Sequence, residues 1–103
     1  MNYFSVQGTL AAATPTSVFV CPPSITVIVD SIRATNTGAF AFTVKKYVAG
    51  SSSTVQLYTL SLSAGDIITD TTPMLLRPGD YLELTSDIGG TTYIAFIKTV
   101  ERQ

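Results

Sequence analysis

The chain predicts an all-β fold: a single antiparallel β-sandwich, jelly-roll or immunoglobulin-like, with seven to eight strands and no significant helix. Three observations lead there. The strand formers Val, Ile, Thr, Tyr and Phe dominate, while Glu, Lys, Gln, Arg and Met are scarce. No run of a dozen residues keeps apolar positions at helical spacing without a Gly, a Pro or a β-branched cluster interrupting it. Turn signals recur roughly every ten residues, the spacing of a sandwich of short strands.

Residues 3–10 form an apolar stretch that reads as an N-terminal arm, with 1–10 set apart as an interface strand and 11–103 as the sandwich. Residues 16–21 (T-S-V-F-V-C) make a short strand that stops at Pro22-Pro23, which have no N–H for a ladder. Residues 24–35 are the strongest strand: Ile25, Val27 and Val29 share one face, and Ile28 and Ile32 the other, so both faces read as covered. Asn36-Thr37-Gly38 reads as a turn into residues 39–48, where Phe40, Phe42 and Val44 are in phase, and the two strands read as a hairpin.

Beyond the small loop at 49–53, residues 54–62 place Tyr58, Leu60 and Leu62 in phase but Val55 and Leu57 out of phase, which calls for a bulge or for cover on both sides. Ser63-Ala64-Gly65-Asp66 turns the chain, residues 67–70 lead to Pro73, and 74–77 are short. Arg77-Pro78-Gly79-Asp80 has the composition of a type II turn, with Pro second and Gly third. Residues 81–86 alternate, with Leu82 and Leu84 inward and Tyr81, Glu83 and Thr85 outward. Residues 91–100 close the fold, and Glu101-Arg102-Gln103 read as a solvated tail. The echo between L-S-A-G-D-I at 62–67 and L-R-P-G-D-Y at 76–81 suggests two similar corners on one edge of the sandwich.

One domain of 103 residues buries only about two-thirds of its unfolded surface. Yet 46% of the residues are hydrophobic and 13% charged, where roughly 25% charged is usual. Ser and Thr, 26 residues together, cover part of the surface; a buried subunit contact is the expected cover for the rest. The net charge of −1 with no basic stripe argues against nucleic acid. The apolar runs fall short of the ~20 residues of a membrane-spanning helix, and Met1-Asn2-Tyr3-Phe4 lacks the basic start of a signal peptide.

The chemistry of catalysis is thin. There is no His, the usual acid–base group near neutral pH. The single Cys21 excludes an intrachain disulfide and a multi-cysteine zinc site, and reads as a buried thiol. Asp66, Asp70, Asp80 and Asp87 stand in or beside turns, where a carboxylate accepts from its own backbone. No D-x-D-x-D loop spaces them for calcium. The expectation is a non-enzymatic chain with no cofactor and no metal.

Phe40, Phe42 and Phe96 read as core. Tyr3, Phe4, Val6, Tyr47, Tyr58 and Tyr93 are the candidate interface residues, since Tyr is enriched where proteins meet and the Trp that glycan stacking usually recruits is absent.

The proline-led strand P-P-S-I-T-V-I-V-D-S-I-R-A-T, the N-T-G turn, the two Gly-Asp corners and the closing T-T-Y-I-A-F-I-K-T-V-E span residues 9–101. This cadence resembles small virion proteins of tailed bacteriophages, above all capsid decoration (cement) proteins. The resemblance implies a structural role on the head surface, a homo-oligomer (a trimer), the major capsid protein as second partner, and no catalytic residues. Synthesis would be in the host cytoplasm. The alternative is a tail- or fibre-associated module that binds a tail protein or a host glycan.

Overall fold

The computed structural model describes residues 2–100; the predicted tail at 101–103 and Met1 of the arm lie outside them. Nine strands form two sheets: β1 (Tyr3–Leu10), β2 (Thr16–Val20), β3 (Thr26–Thr35), β4 (Phe40–Val48), β5 (Ser53–Leu62), β6 (Ile67–Asp70), β7 (Met74–Leu76), β8 (Tyr81–Ser86) and β9 (Thr91–Val100). One sheet runs β1-β9-β3-β6, with β7 also pairing β3; the other runs β2-β8-β4-β5. No helix occurs among the described residues.

The pairings are nested. β4 pairs β5, β3 pairs β6 and β7, β2 pairs β8, and β1 pairs β9, all antiparallel. The chain is one long antiparallel ribbon, rolled up so that β9 also meets β3 and β8 also meets β4. That is a jelly roll, and it decides between the two predicted topologies. β6 and β7 share one edge lane: Pro73 cannot donate to a ladder, and the lane breaks at 71–73. Nine strands therefore fill eight lanes.

The expected hairpin of residues 24–35 with 39–48 does not form. β3 and β4 lie in different sheets, because Asn36 turns inward instead of closing a two-strand turn. Its side chain is buried: Oδ1 accepts from Gly38 N (3.0 Å), and Nδ2 donates to Gly89 O (3.1 Å) and Thr91 Oγ1 (2.8 Å). The two Gly-Asp corners also differ from expectation. Gly65 N donates to Asn36 O, and Gly79 N to Cys21 O, at the two ends of β3, so the corners cap opposite ends of the sandwich.

Ile32 corrects the two-faced reading of β3. Val29 sits opposite Ile97 and Ser31 opposite Phe96, leaving Asp30 as an extra, unpaired residue. This bulge shifts the phase by one, so Ile32 and Ala34 join Val27 and Val29 in the core. Between the sheets, Leu10, Phe40, Phe42, Val44, Leu76, Leu82, Leu84 and Ile97 complete that layer with Cys21. Residues 3–10, read as an arm for a neighbour, pair with β9 of the same chain along their whole length.

Candidate assembly surfaces

The six candidate interface residues occupy three settings. Val6, Tyr58 and Tyr93 pack against the core. Tyr93 lies opposite Gly8 and covers it: a Cβ on Gly8 would stand 3.0 Å from the Tyr93 hydroxyl. Tyr47 stacks on Tyr81 across β4 and β8, with centroids 4.6 Å apart and planes 10° from parallel. Phe4 reaches Phe19 of the other sheet, centroids 5.6 Å apart, and closes the β1–β2 side. Tyr3 is 70% exposed on the outer face of β1.

The two outer faces carry different mixtures of polar and apolar side chains, and Tyr47, Tyr81 and the exposed Val20 share the face of Lys45 and Glu83. On the β2-β8-β4-β5 sheet, Lys45 faces Glu83, and Thr43 lies between Thr85 and Thr59, whose hydroxyl it bonds at 2.9 Å. On the other sheet, Tyr3 and Ile28 flank Lys98, Leu75 flanks Ile28, and Ile94 and Phe96 run down β9 between β1 and β3. Ile67, 63% exposed, ends the same face opposite Thr35. The charges there are spoken for: Lys98 meets Asp30 at 3.4 Å, and Arg33 lies 5.8 Å from the Phe96 ring centroid. The result is a mixed face, on which these apolar side chains stand among Ser5, Gln7, Ser31, Thr35 and Thr92.

Phe96 was expected in the core and is instead 38% exposed on this face. Its neighbours Ala95 and Ile97 fill the interior. Lys98 carries the signal that could have placed it. A charged strand residue must face water, and Phe96 and Ile94 share its parity.

A second uncovered region lies where β5 faces β6 and β7. A groove of about 590 Å³ opens there, lined by Lys46, Leu57, Tyr58, Leu60, Ile68, Thr69, Asp70, Thr72, Pro73 and Met74. β5 alternates once Leu57 is recognised as a bulge: Val44 opposes Tyr58 and Lys45 opposes Gln56. Val55, Tyr58, Leu60 and Leu62 then all face inward with the partners Lys46, Val44, Phe42 and Phe40. Yet Val55 is 46% and Leu60 47% exposed, because the short, broken β6/β7 lane does not reach over them. The Tyr58 hydroxyl is buried and outside hydrogen-bond geometry to any described residue. Burial, then the neighbouring Asp70 carboxylate, pushes its pKa well above the usual phenol value.

The turn carboxylates act on backbone. Asp80, 3% exposed, accepts from Ala49 N (2.9 Å) and Arg77 N (3.0 Å), with Lys46 Nζ at 3.9 Å. Burial works to raise its pKa but is outweighed by these two donors and by the Lys46 and Arg77 charges, so the carboxyl sits below its ordinary value. Asp70 accepts from Thr72 N at 2.9 Å, and Asp87 from Ala41 N at 2.7 Å. Among the described residues no cluster of His, Cys, Asp and Glu is placed to hold a metal ion.

No protein-family model matches the chain, and no curated protein matches it. Among solved structures the fold is similar to the globular domain of the zebrafish complement 1qA protein, at 16% identity, 98% coverage of both chains and a TM-score of 0.59. It is also similar to a protein of Bacillus endospore appendages, described as disulfide-linked pili, at 16% identity and a TM-score of 0.52. That match covers 97% of this chain and 87% of the other. At this identity the likeness is one of fold.

Proposed function

We propose that the chain is a non-enzymatic structural subunit that works by binding copies of itself and a larger protein shell. The observation that carries this reading is the group of large apolar side chains on the outer face of one sheet, the exposed Tyr3, Ile67, Leu75 and Phe96 with the half-buried Ile28 and Ile94. A stable contact needs about 800 Å² from each partner, about a seventh of this chain's 5560 Å². A four-lane sheet face about 34 Å long offers roughly 650 Å² in projection, near that area. The pilus protein of the same fold is a precedent for a sandwich used as a building block.

The strand-and-corner cadence of residues 9–101 extends the proposal to its setting. The shell is a tailed-phage head, the self-association a homotrimer, and the second partner the major capsid protein. Light scattering on the purified chain and cryo-electron microscopy of the particle test the two parts separately. An oligomer, with density on the head surface, is the expected result. An 11.0 kDa species at micromolar concentration would overturn self-association, and density confined to the tail would overturn the setting.

A further inference from the structure

We propose that β5 is a second, isologous assembly edge: it pairs antiparallel with β5 of another copy about a two-fold axis. The inference deepens the assembly reading and rests on it, but uses a different surface. β5 is ten residues long, S-T-V-Q-L-Y-T-L-S-L, with no charge and no proline. Natural edge strands are normally protected by charge, proline or shortness. The β6/β7 lane beside it has such protection, being split at Pro73, and β2 is only five residues long; the eight-residue edge β1 is also uncharged and proline-free, but there Phe4 closes on Phe19 of the facing β2. β5 has the Leu57 bulge alone, and leaves Val55 and Leu60 of the inner row uncovered.

A two-fold axis perpendicular to the sheet keeps both inner rows on the same side. Val55 and Leu60 of each copy then extend the apolar layer of the other, and the two grooves meet across the axis. The buried Tyr58 hydroxyl lies in that seam. A ten-residue strand is about 34 Å long and a two-sheet side about 20 Å deep, so this side offers on the order of 700 Å², near the ~800 Å² a stable dimer needs. No like charges face each other along β5, since it has none.

The test separates this edge from the outer face of the β1-β9-β3-β6 sheet. Leu60→Lys places a charge in the seam, and Phe96→Lys places one on the other surface. By size-exclusion chromatography with light scattering, Leu60→Lys should halve the mass of the wild-type species, with unchanged circular dichroism. Phe96→Lys should leave a dimer. In a scan of single cysteines at each position from 54 to 61, the position nearest the axis should give the highest yield of self-disulfide-linked dimer under mild oxidation. A wild-type oligomer whose mass Leu60→Lys leaves unchanged would overturn the β5 edge and spare the assembly reading. A monomeric wild type would overturn both. A cross-link from β5 to Gln7→Cys in β1, with none from β5 to itself, would replace the two-fold pairing with a head-to-tail contact.

Discussion

Asn36 Nδ2 donates to Thr91 Oγ1 at 2.8 Å, joining residues 55 apart in sequence at one end of the sandwich. Thr91 Oγ1 in turn meets Ser86 Oγ at 2.7 Å, and all three side chains are buried. The same Asn36 takes Gly65 N on its carbonyl and Gly89 O on its amide. One residue thus ties three loop connections together.

Replacing Asn36 by Ala should therefore cost more than a single bond. It orphans Gly38 N, Gly89 O and one side of the Thr91–Ser86 pair; the expected loss is about 2–4 kcal/mol, read as a lower urea midpoint at unchanged slope. Thr91→Val should cost less, about 1–2 kcal/mol, because it keeps the shape and removes one hydroxyl.

Gly79→Ala should destabilise the other end. Gly79 has φ +88°, and an added Cβ would stand 3.0 Å from Ala49 Cβ. Strain and crowding together should cost about 1–3 kcal/mol. Gly65→Ala has the same backbone strain, φ +81°, but open space around it, so its thermal midpoint should fall less.

Asp80 should make the protein acid-sensitive. Its folded-state pKa lies below the unfolded value of about 3.8, so its contribution is complete above that value and is lost as pH falls through the folded pKa. Asp80→Asn should flatten this acid limb in a pH series of urea melts. At neutral pH it should cost about 1–3 kcal/mol, since Ala49 N and Arg77 N lose a charged acceptor.

The alkaline limb should have a different origin. Burial raises the Cys21 thiol and the Tyr93 phenol, and burial with Asp70 raises Tyr58. The unfolded chain releases these protons first, so stability should decline above about pH 9. Tyr58→Phe should reduce that decline. At neutral pH it should change stability by less than about 1 kcal/mol in either direction, because the hydroxyl it removes has no hydrogen bond to lose.

Strand positions and turn chemistry were legible because each depends on nearby residues. Gly79 takes the positive φ that Pro78-Gly79 implies, and Leu82 and Leu84 are buried while Glu83 between them is not. The strand-to-strand relations were not local. The N-T-G signal at 36–38 is the same whether the chain turns back in one sheet or crosses to the other, and the choice was made by Thr91 and Gly89, more than fifty residues away. Bulges were the other obstacle. One extra residue at Asp30 reverses which side Ile32 faces, and no side chain near it announces the shift. At β5 the phase conflict of Val55 and Leu57 with Tyr58 did announce one. The exposed aliphatics were not legible for a related reason: Tyr58 and Tyr93 lie on inward parities, while Ile67 and Leu75 stand exposed on the outer face.

The nested ribbon also determines how the chain responds to force. Asn2 and Thr99 are bonded to each other, Asn2 N to Thr99 Oγ1 at 3.1 Å and Thr99 N to Asn2 O at 2.9 Å, at the open end of the β1/β9 ladder. Tension applied through residues 2 and 100 would unzip that ladder one rung at a time from Asn2 toward Leu10, rather than shear all its rungs together. A load applied across the sheet faces would bypass this weak seam, so the sandwich resists stress from its sides better than tension along its own backbone.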